Sequence, residues 1–390
     1  MTYCSCNHND SLCSSIQVYS AEVSSPKLRG ILTSLAELVL AGGIFLVYIL
    51  GSIKGFTYFE ISLVLLGIAI LFIAVVPWIP ETPRWLVFKR KDRSKALKVL
   101  KCLRGSDSDL ICDELEGIEE AVETLGSLSI LQLLKQFKKQ SILFPFLIVL
   151  VLMIFQELCG GGSTVNTYAA PVFKEAGVKN PLLISSYAIG GSQLFAGLIS
   201  VCIIDCVGRK FLLILSFSGM LVASVMLGAH FYITRPSLCE EMMNITSEDS
   251  AIIGCNSQFA PLAIVSLIFF IMSFAVGIGP VLWVLMSEYL PLQVRGFASG
   301  VVIVAHWAAA AAVTGLYLSY ANLVKPWFAW WTFSIINLGG LVFVLLFVVE
   351  TKGKPLEKIQ EAMVQRFHFC CKIKMAADTN YGDESYGSIN

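Results

Sequence analysis

The chain has 390 residues, of which 56% are apolar and 14% charged, and its 28 Lys and Arg balance 28 Asp and Glu. Globular domains carry about a quarter charged residues. Zero net charge excludes a basic nucleic-acid binder and an acidic disordered chain. A mean hydropathy of +0.74 points to a polytopic membrane protein.

Residues 1–17 are polar and lack the apolar stretch of a cleavable signal peptide. Cys4, Cys6, His8 and Cys13 lie close together there, but their spacing fits no standard zinc pattern. Apolar runs follow at 31–53 and 58–77, then at 141–159, 182–204, 211–233, 259–286, 297–321 and 327–349. A helix needs about 20 residues to cross roughly 30 Å of hydrocarbon, so eight spans and an all-α membrane bundle are expected. The organisation read from this pattern is an atypical segment at 1–17, two spans in 18–77, a charged helical linker at 78–140, six spans in 141–350 and a tail at 351–390.

The linker carries two apolar stripes at helical spacing: Ala96, Leu97, Leu100 and Leu103, then Leu115, Ile118, Val122 and Leu125. Short amphipathic helices at a membrane surface fit best; membrane binding and calmodulin-type partner binding are the alternatives. In the tail, Cys370-Cys371 lies among lysines, as at palmitoylation sites. Tyr386-Gly387-Ser388-Ile389 has the Tyr-x-x-hydrophobic form of an endocytic signal.

Alternating the spans from a cytoplasmic N-terminus sorts the cations. Lys27 and Arg29, twelve between Arg84 and Lys139, Arg209 and Lys210, Arg295, and six from Lys352 to Lys374 make 23 on one side. Lys54, Lys174, Lys179, Arg235 and Lys325 make 5 on the other. The positive-inside rule therefore predicts that both termini are cytoplasmic. The outer loop 234–258 holds Asn244-Ile245-Thr246, an N-glycosylation acceptor. Cys239 and Cys255 flank it, where a disulfide and two free thiols are both compatible with the spacing.

Ionisable and strongly polar side chains inside a span mark functional sites unless they serve as helix–helix hydrogen bonds. Those singled out are Glu37, Gln156, Glu157, Gln193, Trp283, His306 and Trp307. The run Gln156-Glu157-Leu158-Cys159-Gly160-Gly161-Gly162-Ser163-Thr164 leads an apolar helix into three glycines and two hydroxyls. Glycine is a poor helix former, so a break is expected, and a broken helix at membrane depth is tolerated where it lines a cavity. Gly277-Ile278-Gly279-Pro280 predicts a second break, with Trp283 one turn later. Amide side chains and a flat indole suit a neutral polyhydroxylated ligand with one apolar face. The absence of Lys and Arg there argues against an anionic one. No His-Glu-x-x-His, Gly-x-Ser-x-Gly or phosphate loop is present, so neither an enzyme nor a cofactor is expected.

Several stretches together resemble the sugar porters of the major facilitator superfamily, and among them the class III facilitative hexose transporters. They are Val18-Tyr19-Ser20-Ala21-Glu22-Val23-Ser24-Ser25-Pro26 with Arg29-Gly30; Pro80-Glu81-Thr82-Pro83-Arg84-Trp85-Leu86; the Gln156 stretch; Asp205-Cys206-Val207-Gly208-Arg209-Lys210; Gly277 to Trp283 with Ser287-Glu288 and Arg295-Gly296; and Glu350-Thr351-Lys352-Gly353. The resemblance covers roughly residues 18 to 363. The class III likeness rests on the glycosylation triplet in the late outer loop, Tyr48, Ala275 before the Gly-Pro break, and Gln193 twelve residues before Asp205.

The resemblance implies alternating-access transport of a hexose such as glucose. It implies that Gln156, Gln193 and Trp283 contact the sugar, that Trp307 lines the same cavity, and that Glu157, Ser163, His306 and Tyr48 stand beside them. It also implies a cytoplasmic gate of Glu81, Arg84, Asp205, Gly208, Arg209, Glu288, Arg295 and Glu350, with ion pairs between the two halves. The membrane would be the plasma membrane or an endosomal or lysosomal one. The partners implied are a neutral sugar and the bilayer; homo- or hetero-oligomers are left open.

The chain departs from the family at Glu157, where Gln is usual, and at Gly162 and Ser163, where an extra residue displaces the usual Asn. It departs again at His306, where Asn is usual, and at Val349, where Pro is usual. Glu157 and His306 titrate, so any uptake is expected to depend on external pH, and proton-coupled symport is an alternative. The family has twelve spans in two halves, and the eight here correspond to spans five to twelve. A truncated isoform or incomplete gene model is therefore expected, transporting inefficiently by itself. A non-transporting interaction or regulatory membrane protein is the competing function.

Overall fold

The computed structural model describes residues 19–20, 23–24, 29–53, 55, 57–105, 111–119, 135–178, 180–235, 238, 248–291, 294–354, 359, 362–363 and 365–366. All regular structure among them is helical. The main helices are α1 (Arg29–Ser52), α2 (Tyr58–Val75), α3 (Arg93–Arg104), α4 (Gln140–Leu158), α5 (Gly162–Glu175), α6 (Gly191–Val207), α7 (Arg209–Ile233), α8 (Glu248–Val276), α9 (Ile278–Tyr289), α10 (Arg295–Val324) and α11 (Pro326–Phe347). Eight segments are long and apolar enough to cross a membrane, including Gln140–Glu175 and Gln258–Tyr289, each of which joins two helices across a break. All eight predicted runs are present. The third reaches 175 rather than 159, because the chain resumes helix beyond its glycines.

In lipid the hydrophobic effect does not drive helices together; packing, small residues and hydrogen bonds do. α7 is the hub, lying along α8 and α11. Its Leu212, Phe217, Met220 and Leu227 are buried in the same cluster as Phe270, Trp330 and Phe333. α4 lies on α9 and α10, and α1 lies on α6 and α9. α2 buries no residue, as befits a helix with lipid around most of its surface.

The linker stripes differ from expectation. The structure packs Ala96 and Leu100 of α3 against Ile111, Leu115 and Ile118 of a helical stretch at 111–119, closed by Leu86. The two apolar stripes cover each other rather than a membrane surface. Val122 and Leu125 lie outside the described residues. Asp92 caps α3, accepting the Lys95 amide at 3.1 Å. That bond and the Ser94 hydroxyl hold its carboxyl down at about 2. Arg104 ties this small core to the segment before α1. Its guanidinium grips both Glu114 oxygens at 2.9 Å and donates to the carbonyls of Val23 and Ser24.

Candidate functional site

Both predicted breaks are present. α4 stops at Leu158 and α5 begins at Gly162; α8 stops at Val276 and α9 begins at Ile278. Freed backbone groups in a membrane need partners. At the second break Ser216 supplies them: its Oγ accepts from the Ile278 amide at 3.1 Å and donates to the Ser273 carbonyl at 2.7 Å. The Ser200 hydroxyl donates to Val276 O at 2.9 Å. A Cβ on Gly277 would fall on Leu212 O and Ser216 Cβ, closer than real Cβ atoms come. The residue type at 277 is thus set by how near α7 comes. At the first break, Asn337 of α11 donates to Cys159 O at 3.4 Å.

The predicted ligand residues fall into two neighbouring groups. One gathers on α4, α9 and α10. Gln156, Glu157, Trp283 and His306 are all buried. His306 sits edge-on between two indoles, 5.5 Å from Trp283 and 5.1 Å from Trp307. Its Nε2 lies 3.7 Å from Glu157 Oε1, and its Nδ1 lies 3.4 Å from Met153 O. Ser163 turns its hydroxyl toward the Glu157 carboxylate. Gln156 Oε1, Glu157 Oε2 and Trp307 Nε1 are buried without a hydrogen-bond partner. Buried polar atoms are nearly always satisfied, so such a set beside a helix break fits a ligand site.

The other group lines a small cleft of about 30 Å³ between α1, α6, α8 and α9, with Glu37, Gln193, Ser200, Phe274, Ala275 and Gly279 in its walls. Gln193 Oε1 is also without a partner. Phe274 joins the groups: it lines the cleft, and its ring stands where a Cβ on Gly162 would be. Tyr48 reaches across from α1 and donates to Asn166 O at 2.6 Å. Three residues went unnoticed in the sequence. Asn337 is an amide inside the apolar run 327–349, a signal that was available, whereas Asn166 lies beyond the predicted run 141–159 and only the structure brings it into a span. Phe274 carries no sequence signal, because one phenylalanine among 25 is marked only by its position.

The predicted gate residues assemble in part. Arg209, 7% exposed, pairs with Asp205 at 2.9 Å and Glu288 at 3.3 Å. Among the described residues Glu350 forms no ion pair with an arginine. Its carboxylate accepts the amides of Arg209 and Lys210 at the start of α7, and those of Thr351 and Lys352 in its own turn, all at 2.9–3.0 Å. Gly208, at φ +107°, holds the turn that exposes those amides. Arg295 donates to its own Leu290 carbonyl. Glu81 and Arg84 make no ion pair among the described residues. Among the described residues the gate charges thus show pairing within 205–288 and a carboxylate capping a helix. Cys239 and Asn244 lie outside the described residues, only the backbone of Cys255 is described, and Cys4, Cys6, His8, Cys13, Cys370, Cys371 and Tyr386 also lie outside.

The sugar (and other) transporter family model matches residues 11–363. The chain belongs to the sugar transporter family. It is 32% identical over 356 residues to the facilitated trehalose transporter Tret1 of Culex quinquefasciatus, covering 90% of this chain and 64% of that protein. It is 33% identical over 348 residues to the solute carrier family 2 facilitated glucose transporter member 8 of Bos taurus, covering 88% and 69%. The major facilitator superfamily proton:xylose symporter XylE, bound to 6-bromo-6-deoxy-D-glucose, superposes with a TM-score of 0.69 at 26% identity, over 89% of this chain and 70% of that one. The chain thus spans about two thirds of the length of these relatives. It is an integral, multi-pass membrane protein of the major facilitator fold and not an enzyme.

Proposed function

We infer that this chain carries a neutral sugar, a hexose such as glucose, across a membrane by alternating access. One observation carries the reading. Two helix breaks meet, through Phe274, in a region with partnerless polar atoms on Gln156, Glu157 and Gln193 and two indole faces. Sugars offer hydroxyls to the first and C–H faces to the second. Gln156, Gln193 and Trp283 contact the sugar; Trp307 lines the cavity; Glu157, Ser163, His306 and Tyr48 shape it. The relatives are named for trehalose, glucose and xylose, and the choice among such sugars falls to these side chains. Asp205, Arg209, Glu288 and Glu350 hold the end of the bundle that the distribution of Lys and Arg places in the cytoplasm, with Gly208, Arg295, Glu81 and Arg84 beside them. Both termini face the cytoplasm, and the membrane is the plasma membrane or an endosomal or lysosomal one.

Quenching of tryptophan fluorescence by glucose, trehalose and xylose in purified protein tests this reading. Saturable quenching by one of them, weakened tenfold or more in Gln156→Ala and Trp283→Ala, is expected. No quenching by any sugar refutes it.

One observation favours a second reading. α2 buries no residue and offers apolar side chains all round, a surface that suits a further helix as well as lipid. On that reading the chain acts as a non-transporting subunit, and co-purification with a full-length transporter without sugar binding identifies it.

A further inference from the structure

Glu157 and His306 are two titratable side chains facing each other across the α4–α10 contact, at 2% and 3% exposure. Their separation of 3.7 Å exceeds the range of a hydrogen bond. Glu157 Oε2 has no partner. A purely structural bridge would be closed and satisfied; here an acceptor and an imidazole face each other unbonded, and among the described residues the neutral Ser163 hydroxyl turns toward the carboxylate.

The surroundings decide what that is. Apart from this pair, α4 contains no charged residue, and neither does α11. On α9 the nearest is Glu288, five residues beyond Trp283, and on α10 it is Arg295, eleven residues before His306. At 1.5 Å per residue Arg295 lies about 16 Å away along the helix. On α5 the charges are Lys174 and Glu175 at the far end. The remaining titratable group nearby is the buried Cys159 thiol, which donates to Gln156 O at 3.2 Å. Among the described residues no cation pairs with Glu157, and a carboxylate without a cation in a membrane bundle is strongly unfavourable.

We propose that Glu157 and His306 form a proton site in which one proton, carried on the Glu157 carboxyl beside a neutral imidazole, keeps the closed pair neutral and leaves to water when the cavity opens. Removing the proton from the closed pair leaves a bare buried charge; adding a second leaves an uncompensated imidazolium. Hydration of the opened cavity removes the first penalty, so occupancy of the site follows access to it. That the proton moves with a sugar rests on the transport reading above; the proton site itself does not.

The test uses the whole chain in lipid nanodiscs and difference infrared spectra between about pH 5 and 8, where an imidazole titrates. A protonated-carboxyl stretch, moved by deuterium exchange, is expected. It disappears in Glu157→Gln, and its midpoint moves by about one pH unit or more in His306→Asn. The same band persisting in Glu157→Gln overturns the proposal, as does an unmoved midpoint in His306→Asn. Should Glu157→Gln fail to fold, Glu157→Asp must keep the band at an altered frequency, and an unaltered frequency overturns the assignment. Tryptophan quenching by glucose separates this from the transport reading. Sugar binding without the band overturns the proton site alone; the band without sugar binding supports the site and overturns transport.

Discussion

Glu350 and Gly208 allow a double-mutant cycle whose outcome the structure fixes in advance. The Glu350 carboxylate accepts two amides at the start of α7 and two in its own turn. Water replaces it readily at the exposed Lys352 amide, so the larger loss is at Arg209 and Lys210. Removing a helix cap costs about 0.5–2 kcal/mol, and removing a charge beside the positive end of a helix costs about 0.3–1 more. Glu350→Ala therefore destabilises by about 1–3 kcal/mol. Gly208→Ala meets two separate penalties. At φ +107° and ψ 147° an L-residue is strained by about 1–3 kcal/mol. Its Cβ would also lie 2.7 Å from Glu350 Oε2, an overlap costing about 1–3 kcal/mol. In the Glu350→Ala background the second penalty vanishes, so the double variant is more stable than the two single losses predict by about 1–3 kcal/mol. The half-life at fixed temperature in detergent reads this, with about 1.4 kcal/mol per tenfold as the upper bound of sensitivity. Additive losses, agreeing within about 0.5 kcal/mol, refute the contact. A neutral Glu350→Ala refutes the cap.

Three further outcomes follow from single contacts. Gly277→Ala forces a side chain onto the fixed Leu212 carbonyl and opens the Ser216–Ile278 hydrogen bond; a loss of about 3 kcal/mol is expected, and a wild-type half-life with normal elution on size exclusion contradicts it. Asp92 has its carboxyl held at about 2 against an ordinary 3.8. Its stabilising effect is therefore complete above pH about 4 and is lost as pH falls toward 2. Asp92→Asn should be less stable than wild type at pH 5, with the gap shrinking as pH falls through about 2, and a difference independent of pH counts against the cap. Arg104→Lys gives up the paired bonds to Glu114 and the grip on Val23 and Ser24. About 1–3 kcal/mol is expected, seen as faster proteolysis within 78–119, whereas Arg93→Ala, whose pair with Glu119 is exposed, should change little. Equal acceleration in both refutes the distinction.

What the sequence made legible follows from how local each signal is. Eight spans were readable because hydropathy sums over about 20 residues and no tertiary contact is needed to see it. The breaks at 159–161 and 277 were readable because glycine carries its backbone preference wherever it stands. The gate residues were identified as charged helix ends, but not their pairing. Glu350 was named only as a gate charge, and its place as the cap of α7 stayed hidden, since amides at a helix start compete with a cation for a carboxylate and only geometry decides. The stripes of 93–104 and 111–119 were visible, but periodicity does not say whether an apolar face meets lipid or another helix. The division of the ligand residues into two groups was hidden for a similar reason. It depends on where one aromatic ring, Phe274, fits between glycines 117 positions apart at 162 and 279.

That ring is itself testable. Phe274 Cε1 lies 2.8 Å from where a Cβ on Gly162 would be, and 3.3 Å from where one on Gly279 would be. Gly162→Ala therefore cannot be absorbed in place, and with Gly279 blocking one side the ring has to swing into the cleft that holds Glu37 and Gln193. Overpacking of this kind costs about 1–3 kcal/mol. Phe274→Leu removes the colliding edge, so Gly162→Ala combined with Phe274→Leu should recover most of that stability. Sugar binding then reads whether the cleft belongs to the ligand site. If it does, Gly162→Ala weakens tryptophan quenching by the sugar tenfold or more, and the second change restores part of the loss. If stability falls and recovers while sugar affinity never moves, the cleft lies outside the site, and the ligand is held by Gln156, Trp283 and their neighbours alone.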